Sequence, residues 1–146
     1  DSLMQVKLNV KSVPRNLEKL GVKKRKEIQA QYKEVLSKVA QVGVNIILDR
    51  TAQGKGYKGG RFEKYTAKYA QERAKAGRSK APNLNFTGKM LGSMTTVSSP
   101  TKAFIFLRGE EARKASGNNK KRPFFGFSRR ENKRLAKAFE RFLVVE

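Results

Sequence analysis

The stretch 83–108 constrains the fold most, because a polar, irregular segment gives way there to the most strand-like part of the chain. Gly88 permits backbone angles that other residues resist, which favours a turn followed by a strand. Residues 94–98 and 102–108 are rich in β-branched, aromatic and aliphatic side chains. Pro100 lies between them, where it removes no hydrogen bond from the ladder. The pattern predicts a β-hairpin.

An N-terminal strand and two amphipathic helices complete the predicted framework. Residues 1–11 contain an alternation of apolar and polar side chains that is typical of a half-buried strand. Between residues 17 and 47, apolar side chains recur mostly at three- and four-residue steps, which predicts a long helix. Ser128 and Glu131 form an S-x-x-E capping box, a specific signal for the start of a closing helix.

These elements indicate an α+β fold. A small antiparallel sheet, made of the N-terminal strand and the hairpin, is packed by the long N-terminal helix and the C-terminal helix, and long basic loops connect them. With 146 residues and 38% hydrophobic content, the chain suits a single domain spanning residues 1–146. Residues 104–107 are expected at the centre of its core. No apolar run approaches the roughly 20 residues that cross a bilayer, so no membrane contact is expected.

The remaining segments are assigned from composition. Residues 50–62 combine four glycines with basic side chains, which predicts a mobile loop. Residues 65–76 fit a short helix that begins after Thr66 as its cap. Residues 109–121 are polar and end in Gly-Asn-Asn-Lys-Lys, which predicts a long exposed loop. Residues 122–127 are aromatic and contain a proline, so we expect them to be extended and to lie against the core.

The net charge indicates a negatively charged partner. The chain has 34 Lys and Arg against 12 Asp and Glu, a formal charge of +22, and self-repulsion of this size favours a polyanionic or acidic neighbour. Aromatic residues interleave with the basic ones between residues 55 and 80, an arrangement that suits stacking on single-stranded nucleic acid. A basic nucleic-acid-binding module is therefore one candidate function.

Signals for enzyme chemistry are weak. The sequence has no Cys. It also has no His, which is the commonest acid–base group and the commonest metal ligand. Glu110 and Glu111 form the one adjacent acidic pair and are expected to be solvated in a polar loop. Asp49 beside Arg50 is expected to form a local ion pair. Residues 54–59 match G-x-G-x-x-G, but they follow a predicted helix and not a strand, as a dinucleotide site requires. We therefore predict no enzyme activity, no cofactor and no metal.

Several motifs, in a fixed order, resemble one known family. They are Gly60-Arg61-Phe62 with Tyr65-Thr66 and Tyr69, Leu84-x-x-Thr87-Gly88-x-Met90-Leu91-x-Ser93, and Arg122-Pro123-Phe124-Phe125-Gly126-Phe127-Ser128. That order resembles the tailed-bacteriophage virion-morphogenesis and tail-completion proteins, which are related to the head–tail joining proteins of the neck. The resemblance covers nearly the full chain.

The resemblance implies a non-enzymatic structural protein of the virion, made in the host cytoplasm. Such subunits assemble as a ring, with six the expected number, between the connector and the tail tube, or they complete the tail as its terminator. The implied partners are further copies of the chain and the neighbouring connector and tail-tube proteins. Non-specific contact with genome DNA is also expected.

The resemblance implies that the middle loop and the hairpin make the subunit contacts, and aromatic residues beside arginines are enriched at binding hot spots. The alternative is core packing, which fits Phe124 equally well and Tyr57 less well. The predicted interface residues are Tyr57, Arg61, Phe62, Tyr65, Tyr69, Arg122 and Phe124.

Overall fold

A computed structural model describes residues 2–11, 13–84 and 88–145 of the chain. Within these ranges the fold is α+β, as predicted, and a three-stranded antiparallel sheet is combined with helices. A 3-10 helix, Arg15–Lys19, precedes the first α-helix. The strands are β1 (Leu3–Lys7), β2 (Thr95–Ser98) and β3 (Ala103–Arg108), and the α-helices are α1 (Val22–Ala52), α2 (Ala67–Lys75), α3 (Lys89–Gly92), α4 (Gly109–Lys121) and α5 (Arg129–Val145).

The predicted hairpin and N-terminal strand are confirmed. Strands β2 and β3 pair antiparallel, and β1 pairs antiparallel with the other edge of β3, so the order is β1-β3-β2. Ile105 on the central strand lies opposite Val6 on β1 and Thr96 on β2. The hairpin turn is closed by the Ser99 amide, which donates to the Lys102 carbonyl at 2.8 Å.

Only one face of the sheet is buried. On β3, Ala103, Ile105 and Leu107 are buried, whereas Phe104 and Phe106 alternate with them and are only half-buried on the opposite face. The prediction that residues 104–107 all form the core centre is therefore wrong for the two phenylalanines. Successive side chains of a strand point to opposite faces, and the period-two pattern decides which ones enter the core.

Helix α1 packs through its second half. Its 31 residues run without interruption through Gly43, and its buried side chains begin at Val35. A Cβ on Gly43 would lie 2.9 Å from the Phe127 ring and 3.0 Å from the Ile105 side chain, so the missing side chain lets the helix lie close to the sheet. Residues 22–34 are exposed or half-buried. No helix in the described ranges is both long and apolar enough to cross a membrane.

Residues 109–121 form helix α4, so the predicted exposed loop is wrong here. The buried residues of α4 are Glu111, Ala112 and Ala115, and the two alanines are exposed by only 2% and 0%. Glu110 and Glu111 lie in its first turn, where negative charge complements the helix dipole. The polar composition of this segment conceals an amphipathic helix whose apolar stripe is alanine.

The predicted start of helix α5 is confirmed. The Ser128 hydroxyl accepts from the Glu131 amide at 3.1 Å, and the Glu131 carboxylate accepts from the Ser128 amide at 2.9 Å. Leu135 and Phe139 on the predicted apolar face are buried, and α5 packs against α1. The buried apolar residues join into one cluster with contributions from the sheet, the helices and residues 124–125.

Candidate interaction surfaces

The loop predicted at residues 50–62 is present but starts only after α1 ends at Ala52. We call residues 53–62 the glycine loop, and it packs against the body of the protein. An isolated bridge joins Lys55 to Arg61 across it. The Phe62 amide donates to the Gly54 carbonyl at 2.7 Å, and the Phe62 side chain is only 7% exposed. The loop is therefore fastened to the body of the protein at its end.

The glycine loop contacts the segment 123–126 at distances that leave no room for a Cβ. The Tyr57 amide donates to the Pro123 carbonyl at 3.0 Å. A Cβ on Gly56 would lie 2.7 Å from the same carbonyl oxygen, and one on Gly126 would lie 2.7–3.0 Å from three atoms of the Tyr57 ring. Close packing thus accounts for glycine at position 56 of the G-x-G-x-x-G match and at position 126.

Replacing Gly56 with Ala is expected to destabilise the protein by about 1–3 kcal/mol, because the backbone oxygen that the new methyl group meets cannot rotate away. Chemical denaturation measures the change. Gly117→Ala in α4 is the matched control, since a Cβ there has nothing within 4 Å. The control should be stabilised by about 0.5–1 kcal/mol. If Gly56→Ala is as stable as the native protein, the loop can leave its position against residues 123–126.

Arg50, near the end of α1, joins three parts of the fold. Its guanidinium donates to the Glu131 carboxylate at 2.5 Å and to the backbone carbonyls of Phe124 and Gly126. The side chains of Arg50 and Glu131 are only 9% and 13% exposed. The predicted ion pair between Arg50 and Asp49 is wrong, because the guanidinium points across the fold and not along its own helix.

A surface cleft of about 570 Å³ lies between residues 63–69, helix α3 and helix α4. We call it the tyrosine cleft. Its lining combines aromatic, apolar and charged side chains and includes Tyr65, Tyr69, Met90, Glu111, Lys114 and Arg122.

Tyr65 in this cleft contacts two arginines. The guanidinium carbons of Arg122 and Arg73 lie 4.6 and 5.0 Å from the centre of its ring. The ring of Tyr69 packs edge-on at 4.8 Å, and the Tyr65 hydroxyl accepts from the Leu84 amide at 3.0 Å. Cations over the face of a tyrosine are attracted by its quadrupole, so the cleft wall is fixed in place.

Glu111 brings a buried carboxylate to the same cleft. The residue is 8% exposed, and its Oε2 lies 3.5 Å from the Lys114 ammonium. Its Oε1 is buried and has no hydrogen-bond partner within the described residues. The expectation of two solvated glutamates is therefore wrong for Glu111, while Glu110 pairs with Arg113 on the surface.

Three of the predicted interface residues belong to the interior of the chain. Phe124 is 0% exposed, Phe62 is 7% exposed and Arg122 is 9% exposed. The Arg122 guanidinium donates to the carbonyls of Glu63 and Lys64 at 2.6 and 3.1 Å. Their side chains pack within this chain, and Arg122 also lines the tyrosine cleft. Their use as subunit contacts stays a prediction.

The other four predicted interface residues reach the surface. Tyr69 is 38% exposed at the tyrosine cleft, and Tyr65 beside it is half-buried. Arg61 is exposed on the glycine loop, where Tyr57 is half-buried against residue 126. The interface assignment stays a prediction for these four residues as well.

Three sequence motifs that are far apart in the chain meet at the tyrosine cleft. One wall comes from residues 63–69, which follow Gly60-Arg61-Phe62, and another comes from Leu84, Gly88 and Met90. Arg122, the first residue of the last motif, completes it. The order of the motifs in the sequence does not require this meeting.

The second open feature is the face of the sheet that points away from α1, which we call the outer sheet face. Phe104 and Phe106 lie at its centre, on β3. On the edge strands, Leu3 and Val97 are 55% and 51% exposed. The sequence feature that indicates this face is the alternation of side chains along residues 103–108. The strand residues that surround the two rings are Leu3, Gln5, Lys7, Thr95, Val97 and Arg108.

Within the described ranges, no three His, Cys, Asp or Glu side chains cluster closely enough to hold a metal ion. No protein-family model, curated protein or solved structure matches this chain.

Proposed function

We propose that this chain is a structural virion protein of a tailed bacteriophage, a neck or tail-completion subunit that assembles as a ring between the connector and the tail. The observation that carries the proposal is the meeting of the three motif segments at the tyrosine cleft. In the sequence, 14 residues separate the first segment from the second, and 28 residues separate the second from the third. A shared surface site is the arrangement that a common role in assembly would require.

The chemistry of the cleft suits contact with another protein chain. Tyr69 offers a partly exposed aromatic ring that packs edge-on against Tyr65, and Arg73 and Arg122 contact the Tyr65 ring. Rigid aromatic residues with arginine neighbours dominate binding energy at many interfaces.

Assembly must overcome the charge of the subunit. Each copy carries a formal charge of +22, so a ring concentrates like charge and is destabilised by self-repulsion. Salt screens this repulsion, and acidic surfaces of the connector or tail-tube proteins, or genome DNA, would offset it. We therefore expect ring formation to be favoured by salt or by an acidic partner.

Light scattering of the purified protein, at low and high salt and with and without DNA, tests the proposal. The expected result is the molar mass of a discrete ring, either at high salt or when an acidic partner protein is added. A protein that stays monomeric throughout, and binds DNA tightly with a steep dependence on salt, would instead identify the second candidate, a basic nucleic-acid-binding module.

Tyr69→Ala is expected to weaken ring assembly by at least about 2 kcal/mol per contact. The monomer should lose no more than about 1.5 kcal/mol, the upper range for one aromatic pair. Leu20→Ala is the matched control, because Leu20 is 40% exposed and does not line the cleft. Sedimentation velocity measures assembly, and thermal melting measures folding. If the two variants assemble equally well, the cleft is not part of the interface.

A further inference from the structure

We infer that the outer sheet face binds single-stranded nucleic acid by stacking bases on Phe104 and Phe106. This inference goes beyond the proposed function and does not depend on ring formation. The two rings occupy alternate positions of the central strand, so they lie on one face about 7 Å apart along β3. An extended single strand can place neighbouring bases over two such rings, because every base has a face that stacks.

Apart from the Arg108 guanidinium, which lies over the Phe106 ring, the face is open to a ligand. The helices bury the opposite side of the sheet, where Ile105 and Leu107 are 0% and 1% exposed. On the outer side, Leu3 and Val97 are more than half exposed on the two edge strands, one on each side of the phenylalanines. Phe104 and Phe106 are half-buried between these edge strands.

Cations border the rings. Lys7 lies opposite Phe104 on the neighbouring strand. The Arg108 guanidinium lies over the Phe106 ring, 4.8 Å from its centre. The residues of the three strands include no carboxylate. The cations can neutralise phosphates, and a guanidinium plane also stacks on bases.

Uncharged hydrogen-bonding groups complete the surface. Gln5 and Thr95 flank Phe106 from the two edge strands, directly opposite it in the strand pairing. A base that stacks on Phe106 would lie within the reach of their side chains. Stacking rings with cations at their border are the features by which proteins bind single-stranded nucleic acid, and the neutral polar groups add hydrogen-bonding capacity.

The same features disfavour other occupants. A second copy facing this surface would place Lys7 and Arg108 against like charges, which is repulsive. Duplex DNA keeps its bases stacked inside the helix, so it would contact the cations and leave the two rings without a role. The rings and the cations together therefore favour a single strand.

Fluorescence anisotropy with a labelled oligo-dT of about six nucleotides tests the inference on the full chain. Phe104→Leu and Phe106→Leu should each weaken binding by about fivefold or more at fixed salt, since an aliphatic side chain cannot stack as a ring does. Their salt dependence should be unchanged. Phe104→Tyr should bind like the native protein, because it keeps the ring.

The cation contribution is tested by the salt slope. Lys7→Gln with Arg108→Gln should reduce the magnitude of the slope of log affinity against log salt by about 1.4, because each single-strand phosphate that is no longer neutralised accounts for about 0.7. Lys23→Gln with Lys24→Gln removes the same charge from the exposed start of α1. This control should leave the slope unchanged.

Three results would overturn the inference. They are folded leucine variants that bind as tightly as the native protein, a duplex of equal length that binds as tightly as the single strand, and a control that lowers the slope as much as Lys7→Gln with Arg108→Gln. If the leucine variants do not fold, ultraviolet cross-linking of the native protein to the oligonucleotide decides. Cross-links at Phe104 or Phe106 are expected, and cross-links confined to other residues would refute the site.

Discussion

Arg50→Met is expected to destabilise the protein by about 3–5 kcal/mol, the usual cost of breaking a buried ion pair by removing one partner. The substitution leaves the Glu131 carboxylate, only 13% exposed, without its cation. It also removes the guanidinium that donates hydrogen bonds to the carbonyls of Phe124 and Gly126. Native domains are stable by about 5–15 kcal/mol, so the loss is a large share of the total. Urea denaturation measures it.

Two single substitutions and a double-mutant cycle separate this network from a general effect of charge. Arg50→Lys keeps the charge but loses the planar fork that reaches several acceptors, so it should still be destabilised. Asp49→Asn, beside it on the helix, should change stability by less than about 0.5 kcal/mol. Adding Glu131→Gln to Arg50→Met should cost less than the sum of the two single changes, because the stranded charge disappears. Additive effects would contradict the coupling.

Sequence reasoning found the parts of the fold that depend on local signals. The box of Ser128 and Glu131 and the cap of Thr66, whose hydroxyl accepts from the Tyr69 amide at 3.2 Å, each act within one helical turn. It missed helix α4, since a stripe of alanines has little contrast with polar neighbours. It also missed the true partner of Arg50, because Glu131 is 81 residues away in the chain.

The two candidate interaction surfaces could likewise be predicted from the sequence only in part. The motifs indicated which aromatic residues matter, but they did not distinguish rings that fill the core from rings that reach the surface. That distinction depends on how the glycine loop docks onto residues 123–126, which is a tertiary contact between distant segments. The outward position of Phe104 and Phe106 follows from strand alternation, whereas the burial of Glu111 required knowledge of α4.

Phe124→Ala is the second change with a large expected effect, about 3–5 kcal/mol of lost stability. Phe124 is 0% exposed in the core cluster, and its amide donates to the Asn119 side chain at 2.9 Å. Truncation leaves a cavity that the surrounding segment cannot easily close, because the neighbouring Gly126 is fixed against the Tyr57 ring. Calorimetry or urea denaturation measures the change.

The pair of Phe124→Ala and Tyr69→Ala distinguishes a folding role from an assembly role for the predicted interface residues. The first should lower monomer stability whether or not rings form, and the second should lower ring formation while the monomer stays folded. Phe124→Leu, which retains most of the apolar volume, should recover much of the stability lost on truncation to Ala. If the Phe124→Ala protein has native stability but fails to assemble, Phe124 belongs to the interface. That result would also mean that the core closes without this ring.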